Sequence, residues 1–404
     1  MPNHYINAPA GFTAAGDHIG IKKQKMDLTL ILSEVPAVAA GCFTQNIVKA
    51  APVRYDMSVI VSGKKVRGII VNSGNANACT GEQGIKDVRA SADAFAGLAG
   101  CEADEVLVCS TGVIGVNLPM DTLLPGIGQV FSQLGKDEIS GQNAVSGIMT
   151  TDTFEKTAYE EITLGGVNVK LAGMAKGSGM IHPNMATLLA FVTTDAAVSA
   201  EMLQKALFVS IRDSYNMISV DRDTSTNDTT LMLANGMAGN TLIDAENEDY
   251  YVFLAALCRI NRKLAIDIAR DGEGAGKLME VNVHGAGTDT DARLIARSVT
   301  ASNLFKAALF GSDANWGRAL CSMGYSGGAF DPDHVTVTFR SAAGEMIVSK
   351  DSSPVVFDEI LAKTLLSEKD ISIDIELSDG CYSATAWGCD LTYDYVKING
   401  DYRS

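Results

Sequence analysis

Residues 176–189 read Lys176-Gly-Ser-Gly-Met-Ile-His-Pro-Asn-Met-Ala-Thr-Leu-Leu189. A loop rich in Gly and Pro gives way at Thr187 to the apolar run 188–192, and a short apolar run bounded by turn residues is the pattern of a buried strand. A hydroxyl at such a boundary can attack the carbonyl before it, here that of Ala186, if the loop strains that peptide bond. The products are two chains, the second beginning with Thr187. Its free α-amine, titrating near pH ~8, can then act as base for its own hydroxyl, the threonine form of nucleophile-plus-base catalysis. β-Branching limits χ1 and partly aims that hydroxyl. By spacing alone, the same residues also read as an ordinary strand start.

Outward from that boundary the hydrophobic period changes repeatedly. Residues 27–33 and 37–43 read as two β segments around Pro36, and 67–72 as another that ends in the small polar loop 73–81. Residues 85–99 have helical spacing, and 106–109 form a short buried strand that delivers Ser110-Thr-Gly112 at its end. Ser199 suits the N-cap of a helix through about Tyr215, with Glu201 in its first turn. A second helix covers 248–269. Between them the polar loop Asp221-Arg-Asp-Thr-Ser-Thr-Asn-Asp228 leads into a strand over 229–234. Residues 280–284 alternate as a strand, 292–310 are helical, and short strands follow at 335–339, 346–349, 371–377 and 382–387. Strands and helices in mixed order, without a regular βαβ repeat, predict α+β layers rather than a doubly wound sheet. The division expected is a main catalytic domain over 1–285 and a smaller C-terminal α+β domain over 286–404 that completes the pocket.

Composition narrows the function classes. At 404 residues, 47% hydrophobic and 20% charged, the chain carries enough apolar material for two or three domains. Acidic residues outnumber basic ones by 48 to 32, for a net charge of -16, which opposes phosphate backbones and excludes nucleic acid as an expected partner. No run approaches the ~18 apolar residues of a membrane span. Met1-Pro-Asn-His-Tyr-Ile6 lacks a basic stretch followed by an apolar core, so a cytoplasmic protein with no membrane partner is expected. Cysteines 42, 79, 101, 109, 258, 321, 381 and 389 are dispersed without a Cys-x-x-Cys pair, which predicts reduced, mostly buried thiols. The five histidines show no ligand spacing, and no metal is expected.

Acyl transfer needs a nucleophile, a base and donors aimed at the developing oxyanion. Thr187 offers the first two. Ser110-Thr-Gly112 offers the third, since a strand ending in small residues can present a hydroxyl and a backbone N–H side by side; the triplet is also an ordinary turn. Lys176 can hold the carboxylate of an amino-acid substrate. Thr150-Thr-Asp-Thr-Phe-Glu-Lys156 reads as a β-turn closed by Asp152. Asp271-Gly-Glu-Gly-Ala-Gly-Lys277 invites comparison with a phosphate loop, but Asp271 stands where that motif needs Gly and Leu278 where it needs Ser or Thr. Nucleotide binding is therefore disfavoured.

These segments, together with Gly311-Ser-Asp-Ala-Asn-Trp-Gly-Arg318 and the terminus Tyr395-Val-Lys-Ile-Asn-Gly-Asp-Tyr-Arg-Ser404, resemble motifs of the ornithine acetyltransferase family, also called glutamate N-acetyltransferase. The resemblance spans nearly the whole chain. It implies a sandwich of sheets and helices related to aminopeptidases that activate themselves at an internal Ser or Thr. It also implies cleavage between Ala186 and Thr187, giving an α chain (1–186) and a β chain (187–404) that assemble as an α2β2 heterotetramer. Thr187 would be the nucleophile, Thr111 and Gly112 the oxyanion hole, and Thr153, Lys176, Thr187, Glu273, Asn399 and Ser404 the substrate contacts. The implied reaction, a step of arginine biosynthesis, moves acetyl from N2-acetyl-L-ornithine to L-glutamate in a ping-pong cycle. It needs no bound cofactor, although acetyl-CoA is a possible second donor substrate in a multifunctional enzyme. A self-processing aminopeptidase or amidase would use the same nucleophile and pass the acyl group to water, and a non-enzymatic amino-acid-binding protein would remain one chain. Arg222 departs from the family pattern, in which Gly is more usual there, and would be strained if its backbone needed φ > 0.

Overall fold

The computed structural model describes residues 4–182 and 188–401; Ala186, Thr187 and Ser404 lie outside the described residues. The first half of the chain runs β1 (Phe12–Asp17), β2 (Leu28–Phe43), α1 (Ala51–Ser62), β3 (Val66–Asn75), α2 (Gly81–Ala99), β4 (Val106–Val113), α3 (Met120–Phe131), α4 (Glu138–Ile148), β5 (Lys156–Leu164) and β6 (Val167–Lys176). Then follow β7 (Leu189–Thr194), α5 (Ala200–Arg212), β8 (Ile218–Ser219), β9 (Thr229–Ala234), α6 (Glu248–Arg270) and β10 (Leu278–Ala286). The remainder comprises α7 (Asp289–Ala301), α8 (Asn303–Phe310), α9 (Trp316–Gly324), β11 (Thr336–Ser341), β12 (Gly344–Lys350), β13 (Ser353–Pro354), α10 (Glu359–Leu366), β14 (Asp370–Glu376), β15 (Tyr382–Cys389) and α11 (Tyr393–Asp401).

Among the described residues the strands form two sheets. One is ordered β4-β3-β2-β9-β7-β6-β5 with β1 paired to β2; the other is ordered β13-β12-β11-β14-β10-β15-β8. Both mix directions: β3 with β4 and β7 with β9 are parallel in the first, β10 with β14 and β15 with β8 in the second. The α+β layering read from the pattern is therefore what the chain adopts. Two β segments were expected around Pro36, whereas β2 is a single 16-residue strand. Its register slips between Leu32 and Ala37, so its first part pairs with β3 and its second part with β9.

The strand after Thr187 sits at the centre of the first sheet. Every residue of β7 is buried, as is every residue of β9, which fits a parallel pair covered on both faces. Leu189 pairs with Lys176 of β6 on one side and with Thr229 of β9 on the other. The entry to β7 thus lies between the end of β6 and the start of β9. β5 and β6 form a hairpin closed by Gly165 and Gly166, both at positive φ as a type I′ turn requires.

The second half is built around α6. Tyr250, Phe253, Leu257, Ile260, Leu264 and Ile268 recur at three- and four-residue spacing and are buried. The helix touches β5 and β6 of the first sheet and β8, β10 and β15 of the second. One hydrophobic cluster consequently runs through both layers. Ser199 caps α5 as read, its side chain accepting the Met202 N–H, but the helix stops at Arg212. The helix expected over 292–310 is broken at Ser302, whose hydroxyl caps α8 by accepting the Phe305 N–H, the competition with helix backbone that serine offers. Residue 285 falls at the end of β10, a central strand of the second sheet, and that sheet also draws β8 from before it. Of the cysteines, Cys42, Cys109 and Cys389 are buried as expected, but Cys79, Cys321 and Cys381 are exposed because they lie in a loop, on a short helix and at a turn rather than on core faces. No described helix is long and apolar enough to cross a membrane.

Candidate active site

A pocket of about 110 Å³ opens where β4, β6 and β7 end or begin, and Thr111, Gly112, Lys176, Glu273 and Asn399 all line it. Leu188 and Leu189 contribute from the entry to β7. Five sequence-derived site residues, separated by up to 288 positions, are thereby brought together (399 − 111). Of the other residues read as functional, Thr187, Ala186 and Ser404 fall outside the described residues, and Thr153 lies elsewhere.

Thr111 and Gly112 reach the pocket because β4 runs on past its apolar core, paired in parallel with β3 so that Ser73 faces Thr111 and Gly74 faces Gly112. The close approach of two glycines is obligatory. Gly112 has φ 134°, and a Cβ there would stand 2.3 Å from the Gly74 carbonyl carbon, well inside contact distance. The Lys176 Nζ donates to Thr111 Oγ1 at 3.4 Å. An ammonium can only donate, so the Thr111 hydroxyl accepts here and keeps its own proton for another acceptor. A hydroxyl donor beside a backbone N–H is the arrangement an oxyanion requires.

Lys176 is 9% exposed. Burial pushes its pKa down, Asp152 opposes this most strongly, Lys156 adds to the fall, and Glu273 and Asp228 also favour the charge. Behind it lies a buried ionic cluster. Lys156 Nζ donates to Asp152 at 2.7 Å and to Asp271 at 2.5 Å, all three side chains being almost wholly excluded from solvent. Asp152 also accepts the Gly177 N–H at 2.8 Å and the Thr150 N–H at 2.9 Å. Burial works against its charge, but Lys156, Lys176 and these hydrogen bonds hold the carboxyl well below the usual range. In place of a β-turn, the segment bends around Asp152, which locks the end of β6 to the Thr150–Thr151 wall of the pocket.

Glu273 follows the C-terminus of α6 and is 8% exposed. Its N–H donates to the Ser178 carbonyl at 2.8 Å, and Oε2 accepts from Asn399 Nδ2 at 2.8 Å. A Cβ at Gly179 would lie 2.3 Å from that same oxygen, so glycine leaves the space the carboxylate occupies. Asn399 is carried by α11, which spans Tyr393–Asp401. Thr153 is not a wall of this pocket. Its N–H donates to Asp271 and its hydroxyl bonds the same carboxylate, and it lines an adjoining cavity with Lys397. Thr150 and Thr151 of the same segment line the pocket instead.

The loop 221–228 supplies residues that motif reasoning passed over. Ser225, Thr226, Asn227 and Asp228 all line the pocket. Buried Asn227 donates from Nδ2 to the carbonyls of Ala76 at 2.6 Å and Ser110 at 2.8 Å, tying the oxyanion strand to the start of β9. The available signal was an unbroken polar run entering a fully buried strand. Asp221 at the head of that loop accepts the N–H groups of Met180 at 2.6 Å and Ile181 at 2.8 Å. Arg222 sits at φ 71°, so the strain foreseen for a side chain at that position is present. Lys277, read as part of a near-miss phosphate loop, donates to the Leu309 carbonyl at 2.6 Å and to Ser312 at 2.9 Å, anchoring the 311–318 loop.

The ArgJ family profile matches residues 13–404. The chain is similar to the arginine biosynthesis bifunctional protein ArgJ of Caldanaerobacter subterraneus subsp. tengcongensis, 51% identical over 99% of this chain and 98% of the relative. It is likewise 51% identical to the arginine biosynthesis bifunctional protein ArgJ 1 of Clostridium acetobutylicum, over 100% of this chain and 98% of that relative. Among solved structures, the crystal structure of the arginine biosynthesis bifunctional protein argJ from Bacillus halodurans matches with TM-score 0.50 and 43% identity, covering 52% of this chain and 98% of the solved chain.

Proposed function

This chain belongs to the ArgJ family and is an acyltransferase of arginine biosynthesis, a glutamate N-acetyltransferase; we propose that it moves the acetyl group of N2-acetyl-L-ornithine to L-glutamate through an acetyl ester on Thr187. Cleavage between Ala186 and Thr187 creates the α-amine that serves as base. That amine takes the hydroxyl proton while the oxygen attacks the acetyl carbonyl, and the Thr111 hydroxyl and Gly112 N–H donate to the oxyanion. Collapse breaks the C–N bond, and the departing amine of ornithine leaves with the proton. Glutamate then enters the same pocket, its amine attacks the ester, and N-acetyl-L-glutamate is released. An amide is exchanged for an amide, so no external energy source is needed. The pocket favours glutamate over water by positioning and by exclusion of solvent.

Glu273 is the partner for the δ-ammonium of ornithine, a charge-assisted contact, and Lys176 serves the substrate carboxylate and the Thr111 hydroxyl. Ser404 completes the substrate contacts, and Thr153 supports the pocket from the adjoining cavity through its hydrogen bonds to Asp271. The processed α and β chains pair as an α2β2 heterotetramer in the cytoplasm, no cofactor is bound, and acetyl-CoA serves as a second acetyl donor. The observation that carries this reading is the convergence of Thr111, Gly112 and Lys176 with Glu273 and Asn399 at the entry to β7. Residues from both sides of the 186–187 bond thus meet in one pocket. Cleavage is also supported by the solved Bacillus halodurans chain, which is about half the length of this one.

Incubation with acetylornithine and glutamate tests the reaction. Ornithine and N-acetylglutamate should appear in equal amounts with no free acetate. Acetate released in step with ornithine would make the enzyme an amidase.

A further inference from the structure

Ile181 lines the acyl pocket, and its neighbour His182 lines a different cavity of about 260 Å³ against α7 and the end of α9. Arg222, Arg297, Tyr325 and Ser326 face into it, and none of the described lining residues is acidic. That is an unusual surface for a chain of net charge -16. The hydrogen bonds fix the state of the histidine. Arg297 Nη2 approaches His182 Nε2 at 3.3 Å, and a guanidinium can only donate, so Nε2 accepts and the ring is neutral, with Nδ1 directed at the Ser219 hydroxyl at 3.0 Å. Burial first, then Arg297, Arg222 and Lys306, push His182 down to about 4. Two guanidiniums and an amine therefore act on one imidazole.

Arg222 is held where a side chain is costly. Its φ of 71° is left-handed, which disfavours any residue with a Cβ. Asp221 imposes the kink, its Oδ1 accepting from Ile181 and Asp223 and its Oδ2 from Met180 and the Tyr395 hydroxyl. Glycine would adopt this turn without strain. What the arginine adds is a second guanidinium in the cavity that already holds Arg297. Two fixed positive charges with the Tyr325 and Ser326 hydroxyls exceed what a single carboxylate can use, and they match a doubly charged tetrahedral oxyanion.

We propose that this cavity is a phosphate subsite, built on Arg222 and Arg297, that takes inorganic phosphate or the phosphate groups of a phosphorylated small molecule. It adjoins the acyl pocket through the consecutive residues Ile181 and His182 and contains none of the residues assigned to acyl transfer. Calorimetric titration of the full-length processed protein with phosphate, pyrophosphate and ADP at constant ionic strength tests it, using wild type, Arg222→Gly and Arg297→Met. Wild type should show saturable binding of at least one of the three, weakened tenfold or more in both variants. Arg222→Gly relieves the left-handed strain, so its ligand-free melting temperature should not fall and lost binding cannot be lost folding. ADP binding more tightly than pyrophosphate identifies a phosphorylated organic ligand, and equal binding identifies the inorganic ion. Transfer from acetylornithine to glutamate, measured without added anion, should be unchanged in Arg222→Gly, which separates this site from the acyl chemistry. No saturable binding by any of the three anions, or equal binding in wild type and both variants, would overturn the proposal.

Discussion

At Thr111 one hydroxyl accepts from Lys176 and keeps its own proton for another acceptor. Thr111→Ala should lower kcat for acetyl transfer by roughly 10²–10³, the usual cost of one oxyanion donor, with KM little changed; steady-state kinetics of the purified variant read both. A second residue bears on pH. Lys22 donates to the carbonyls of Met26 at 2.6 Å and Met149 at 2.7 Å, beside the Thr150–Thr151 wall. Burial pushes its pKa down to about 8, with Asp27 opposing and Lys25 and Lys176 reinforcing the fall. Between that value and the ordinary 10.5 the unfolded chain binds more protons than the folded one, so stability rises with pH across this window. Denaturant unfolding of wild type and Lys22→Met at several pH values should show the wild type gaining on the variant from pH 8 to 10.5. A constant difference would refute the assignment. Residue-level legibility was uneven. Arg222 was marked as out of place with its φ left open, and that φ is positive, whereas Asn227 was invisible because its role is to bridge two backbone carbonyls more than a hundred positions away.

The element that shapes the pocket wall is the 150–156 segment, fixed by the buried Asp152–Lys156–Asp271 cluster. Removing one member of a buried ionic cluster leaves unpaired charge inside, at a cost of about 3–5 kcal/mol. Lys156→Met should destabilise the protein by that amount, and a chemical denaturation midpoint close to wild type would count against the cluster's role. Strands and helices with strong local signals were legible. β9 matches its predicted bounds, and Ser199 caps α5. What escaped depended on non-local context. Pro36 reads locally as a break, yet β2 continues through it because its two parts pair with different neighbours. The Gly165-Gly166 turn between two alternating runs is a hairpin signal carried by the local sequence. Thr153 was placed by analogy, and its side chain instead serves Asp271 at the end of α6, a contact with no local trace in the sequence.

On the scale of the whole molecule, the pocket exists only because two stretches of chain interleave. β7 enters the first sheet between β6, from before residue 187, and β9, from after it. Thr111, Gly112 and Lys176 then face Glu273 and Asn399. A cut ahead of β7 leaves every one of these contacts in place, since α6 and its hydrophobic cluster span both sheets. The fold is therefore compatible with conversion of one chain into two, and the proposed chemistry requires it, because only cleavage would supply the amine at Thr187. Intact mass spectrometry of wild type and Thr187→Ala under denaturing conditions, with transfer activity measured on the same samples, tests this most directly. Wild type should give two polypeptides divided between Ala186 and Thr187 and should transfer acetyl from acetylornithine to glutamate. Thr187→Ala should give one full-length, folded and inactive chain. An uncleaved Thr187→Ala protein with wild-type activity would contradict the account.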